Sequence, residues 1–118
     1  MEAFDLTRLL SGHDPSEEPY LEFVRVPSLS VGVYVLPAGA PDPQQPHTED
    51  EVYHVVRGKG RIQVGVEDRA VETGTVVFVE AGVDHRFHSI EEDLTVLVFF
   101  APAEYSRASA GVLGGGSR

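Results

Sequence analysis

Alternation is the dominant pattern of this chain. Over Ser28–Leu36 the apolar residues Leu29, Val31, Val33 and Val35 fall two apart, so they share one face of a strand. Tyr20–Val26 alternates less regularly and reads as a strand ended by Pro27. Glu51–Val56 is the next strand, and Gly58-Lys59-Gly60 reads as a turn. Arg61–Val66 follows, with Ile62, Val64 and Val66 predicted to face inward. Glu67-Asp68 marks another turn, then Ala70-Val71 and Thr75–Val79 are short β-branched runs. His85–Ser89 is a short strand, and Glu91–Asp93 a turn. Leu94–Ala101 is apolar on both faces and calls for cover on both. Helical spacing occurs at Phe4, Leu6, Leu9 and Leu10, a short helix closed by Gly12. Asp14–Pro19 and Pro37–Pro46 are proline-rich loops.

The sum is roughly eight to ten short strands with turns about every 6–12 residues, which predicts an all-β sandwich or barrel carrying a small helix. At 118 residues the chain suits one domain over 1–107, with the barrel at about 28–101. Residues 108–118, with Gly114-Gly115-Gly116, are expected to form a flexible tail. No Lys-Ser/Thr follows those glycines, so they are not a phosphate loop.

Charge and composition narrow the function. The formal net charge is −10, from 19 acidic against 9 basic residues, which argues against nucleic acid or an anionic membrane surface as partner. Cysteine is absent, so disulfides, thiolate metal sites and a cysteine nucleophile are excluded. The segment MEAFDLTRLL lacks the basic and apolar regions of a secretory signal, and a cytoplasmic protein is expected. No Gly-x-Ser-x-Gly elbow occurs.

The candidate chemistry lies between Gln45 and Glu51 and again at His85. Pro46 favours an extended backbone before it, so Gln45 and His47 project together. Glu51 shares a strand face with Tyr53 and Val55, whereas His54 has the opposite parity. His85 shares a face with Phe87 and Ser89, while Arg86 and His88 take the other. Parity therefore selects His47, Glu51 and His85 as one convergent set, with Gln45 beside them. Two imidazoles and a carboxylate can hold a divalent metal and leave positions open; Fe(II) is favoured, and Zn, Mn or Ni are alternatives. Tyr53, Phe87 and Arg57 share the inward parity and are candidates to line a substrate pocket, Arg57 for an acidic group.

Two spacings give the chain a family likeness. From Gln45-Pro46-His47 there are three residues to Glu51 and six more to Gly58, with Gly39 ahead of them. From Gly74, five residues lead to Glu80-Ala81-Gly82, two to His85 and three to Ser89. Over Ser28–Ala101 the chain resembles the cupins, and the 15 residues between Gly58 and Gly74 suit the small bacterial ones. The resemblance implies a jelly-roll barrel with a metal inside, held at the positions of Gln45, His47, Glu51 and His85. The chain departs from the pattern in three places. Gln45 replaces the first histidine, Glu80 a turn proline and Ser89 a terminal asparagine. The expected protein is a homodimer that binds a small molecule. It is either a mononuclear metalloenzyme, dioxygenase-like before isomerase or lyase, with Glu51 as ligand and base, or a binding or sensing module using the same cavity. A metal-free structural role is the third reading.

Overall fold

The computed structural model describes residues 1–43 and 47–106. Helix α1 (Leu6–Ser11) is followed by strands β1 (Tyr20–Val26), β2 (Leu29–Leu36), β3 (Asp50–Val64), β4 (Glu67–Glu72), β5 (Val76–Val79) and β6 (His85–Ala101). The strands form one antiparallel system in the order β1-β2-β6-β3-β4, with β5 paired to β3. This is the all-β jelly roll with a short N-terminal helix. The helix buries none of its residues; just ahead of it, Phe4 meets Phe23 of β1 edge-on at 5.1 Å. No helix among the described residues is long and apolar enough to cross a membrane. Residues 108–118 lie outside the described residues.

Strand count is the main correction. The glycines at 58 and 60 do not reverse the chain, and neither do Glu91–Asp93. Both stretches lie inside long strands and face each other, Lys59 opposite Glu92 and Arg61 opposite His88. The ladder slips three times between Val55 and Arg61, and the paired strands bend there together. Turn-forming residues at these points make a barrel corner. Gly58 shows why: its φ is +105°, and a Cβ on it would sit 2.2 Å from the backbone oxygen of Asp93 across the ladder.

The bend has a measurable effect on geometry. In the β3–β6 ladder Glu51 lies opposite Phe100, and His85 opposite Val64. A straight strand from Glu51 to Val64 would span roughly 40 Å. Yet His85 Nε2 lies 3.0 Å from Glu51 Oε1. Barrel closure brings them together, with β5 as the bridge: Val79 pairs with Glu51, and the following turn returns the chain to His85.

Inside, Tyr34, Leu36, Tyr53, Val55, Ile62, Phe87, Leu94, Val96, Val98 and Phe100 belong to one buried cluster. Each such side chain contributes on the order of 1.5–3 kcal/mol by leaving water. Leu29, Val31, Val33 and Val35 turn to the other face of β2; Val31 and Val33 are buried there but stand apart from that cluster. Val66 is fully exposed rather than inward, because the β3–β4 reversal falls at Gly65-Val66, ahead of Glu67-Asp68. Ser89 adopts φ +49° and is exposed, and Ile90 takes the buried position that simple alternation assigned to Ser89.

Candidate metal centre

The two motif stretches meet. The turn before β6 docks on the loop before β3: Gly82 N donates to His47 O at 2.7 Å, and Ala81 N donates to Asp50 Oδ1 at 2.9 Å. These bonds set the height at which His85 enters the barrel. Asp42 secures the approach from the other side. Its carboxylate accepts from Tyr34 Oη at 2.5 Å and from the Phe87 amide at 2.8 Å.

His47, Glu51 and His85 each offer one ligand atom, and these atoms lie within 4.8 Å of one another; all three residues are buried. Glu51 is the shared neighbour, its Oε1 3.0 Å from His85 Nε2 and 3.5 Å from His47 Nδ1. Among the described residues, His47 Nδ1, His85 Nε2 and both Glu51 oxygens are buried without a directed hydrogen bond. The close contacts are thus electrostatic. Orphaned buried polar atoms are costly. Here four of them converge, and their chemistry is that of a two-imidazole, one-carboxylate donor set. The residues present therefore fit a divalent ion.

His85 is held in the useful tautomer. Its Nδ1 lies 2.8 Å from Val83 O, so Nδ1–H donates there and Nε2 keeps its lone pair for the centre. Burial pulls its pKa down, but the Glu51 carboxylate, the Val83 carbonyl and the charge of Asp42 outweigh this and raise it above the usual histidine value. In metal-free protein the charged imidazolium therefore contributes stability that is complete below about pH 6.5 and is lost as pH rises through the higher folded value. Chelator-treated protein should accordingly show a falling melting temperature across that window, while metal affinity climbs there as the competing proton leaves. Melting curves that are flat in pH, with a pH-independent affinity, would contradict this.

Other sequence-selected residues fall around the cluster. Tyr53 and Phe87 are buried against each other, with ring centroids 4.9 Å apart, and Tyr53 also packs on His85 at 5.9 Å. They form the dry floor beneath the site. Arg57 is exposed. His54 is half-buried, and His88 pairs with Asp68 at 2.6 Å. Gln45 lies outside the described residues.

Sequence reasoning missed the C-terminal contribution. Glu104 is buried, and its Oε2 lies 3.0 Å from His47 Nε2. Glu49 is buried as well and turns to the same segment, accepting from the Tyr105 amide. The faint signal was Pro102-Ala103-Glu104-Tyr105, an apolar and aromatic run holding one acid just past the last strand. A cavity of about 530 Å³ opens beside this segment, lined among others by Tyr20, Tyr34, Phe100, His47, Glu104 and Tyr105.

Fold and cluster together define a small barrel protein with a His-Glu-His cluster able to bind a metal. A family model described as "Cupin domain" matches residues 32–100, and the chain belongs to that family. It is 50% identical over 104 residues to an uncharacterised protein of Streptomyces coelicolor, covering 88% of this chain and 99% of the relative. Among solved structures it is similar to a protein from Thermus thermophilus, with TM-score 0.70, 26% identity, and coverage of 87% of this chain and 99% of that one. It is also similar to a salicylate 1,2-dioxygenase variant from Pseudoaminobacter salicylatoxidans in complex with gentisate, with TM-score 0.65 and 20% identity, over 70% of this chain but 24% of that one.

Proposed function

We propose that the protein is a mononuclear metalloprotein that acts on a small molecule in the manner of a dioxygenase. The observation that carries this reading is the convergence of four buried, hydrogen-bond-orphaned donor atoms next to an accessible cavity. His47 Nδ1, Glu51 and His85 Nε2 would hold the ion. When bound, a divalent metal with open positions supplies Lewis acidity to an oxygen-bearing ligand, and iron adds oxygen chemistry. The chain's own part is separate. Tyr53 and Phe87 exclude water below the cluster. Val83 fixes the His85 tautomer, and Glu51 would serve as ligand first and base second, with His47 standing at the cavity wall beside it. Fe(II) is the favoured ion, with Zn, Mn or Ni as alternatives. The likeness to a dioxygenase is one of fold; the class of reaction is argued from the two-imidazole, one-carboxylate donor set.

Metal analysis of protein purified without chelator tests this. About one equivalent of iron per chain is expected, lost in His47→Ala and His85→Ala, together with oxygen uptake over a panel of small phenolic and carbonyl substrates. Protein that stays metal-free under replete conditions, with no metal-induced rise in melting temperature, would sink the reading. Tight metal without oxygen uptake favours the second one, a binding or sensing module in the same cavity.

A second copy of the chain is the proposed partner. On the outer sheet face the register aligns Val31, Phe99, Val52 and Phe78 across four strands, and Phe78 and Val76 are largely exposed. A monomeric mass by light scattering would rule this out.

A further inference from the structure

We propose that Glu104 is a positioning residue of the metal centre, which selects the His47 tautomer that turns Nδ1 to the ion. The inference rests on the metal-binding reading above. His47 presents its two nitrogens to two different carboxylates. Nε2 meets Glu104 Oε2 at 3.0 Å, and Nδ1 faces Glu51 Oε1 at 3.5 Å with no directed hydrogen bond among the described residues. A neutral imidazole carries one proton, and the protonated nitrogen cannot ligate. Placing that proton on Nε2 satisfies Glu104 and leaves the Nδ1 lone pair for the metal. The opposite tautomer would set a lone pair against a buried carboxylate. A carboxylate behind a ligating histidine also makes it a stronger donor.

His85 shows the same device with a different acceptor. There the outer nitrogen is Nδ1, and a neutral backbone carbonyl, Val83 O, receives its proton. The two rings are thus pinned from outside, one by a dipole and one by a full charge. Glu104 does not join the group of atoms that lie within 4.8 Å of one another. The His47 ring stands between it and the centre, so it acts through that ring.

The carboxylate is delivered by a strap whose backbone is fixed independently. The Glu104 amide donates to Ser30 Oγ at 2.8 Å, Arg25 Nη2 donates to Glu104 O at 2.8 Å, and the Tyr105 amide donates to Glu49 Oε1. Exchanging the Glu104 side chain leaves all three bonds available. A substitution therefore reports on the carboxylate rather than on docking of the segment.

The test compares wild type, Glu104→Gln and Glu104→Ala by calorimetric titration with Zn(II), and reads the His47 tautomer by long-range proton–nitrogen correlation in the zinc-loaded protein. Wild type should show nitrogen coordination at Nδ1 with a proton on Nε2. Glu104→Ala should bind zinc about 10- to 100-fold more weakly. Glu104→Gln, which keeps an acceptor oxygen without the charge, should fall between the two and retain the tautomer. Wild-type protein that binds zinc while Glu104→Ala binds it equally well, or zinc held through His47 Nε2, overturns this proposal and leaves the metal-binding reading standing. Absence of zinc binding in wild type overturns both. If Glu104→Ala does not fold, the tautomer in the wild-type zinc complex decides.

Discussion

Glu51→Gln abolishes metal binding and leaves the barrel folded. Glu51 Oε1 lies 3.0 Å from His85 Nε2 and 3.5 Å from His47 Nδ1, and the carboxylate supplies the negative charge of the cluster. Without it only the two imidazoles remain as donors, and affinity should fall by more than the ~100-fold upper range seen for residues that only orient a ligand. Stability should move the other way. The carboxylate is 1% exposed, and a buried charge without a counter-charge is costly. Glutamine keeps the shape and removes the charge. At alkaline pH, where His85 is neutral, the metal-free variant should melt at or above metal-free wild type. At acidic pH the order reverses, because the imidazolium loses its partner. Added metal should stabilise only wild type, by about 2.7 kcal/mol at 100 times its dissociation constant. Scanning calorimetry with and without Zn(II) checks all three statements. A variant that binds zinc like wild type would remove Glu51 from the centre.

Gly58→Ala costs about 3 kcal/mol of folding stability or more. Two effects add: alanine is strained at φ +105°, and its methyl carbon would sit 2.2 Å from Asp93 O and 2.8 Å from Asp93 C. Those atoms belong to the facing backbone, so no side chain can swing aside. Gly39→Ala is the internal control. Its φ is +76°, and nothing lies within 4 Å of a Cβ there, so only the strain applies, about 1–2 kcal/mol. Urea denaturation of the pair separates the two contributions; equal losses would mean that the crossing at Asp93 is not tight. The closing glycine of the first motif is thereby explained: with six residues between it and Glu51, it falls where the chain turns the corner directly under β6.

Much of the site was legible because alternation carries it. Glu51, Tyr53 and Val55 on one strand and His85 and Phe87 on another are all buried, as their parity demands. Alternation loses its meaning at a bulge. Arg57 and Ser89 lie at or next to slipped rungs, and both are exposed despite sharing the inward parity. Glycine and acid clusters signal a change of direction without saying whether the chain reverses or the whole sheet bends, so Gly58–Gly60 and Glu91–Asp93 read as ends of strands. Glu104 was out of reach for a different reason. It follows the last strand in an irregular segment, where no period exists, and its role depends on contacts with Arg25 and Ser30 at the far end of the sequence.

Those contacts impose an order on assembly. During synthesis His47, Glu51 and His85 leave the ribosome before Glu104, while Arg25 and Ser30, which receive the returning segment, have been waiting since the first strands emerged. A chain cut short of Ala103 would keep the three residues of the cluster and lose the carboxylate that faces the outer nitrogen of His47. On the reading proposed for Glu104, the segment made last is the one that would fix the His47 ring, so the centre would be finished only with the barrel itself.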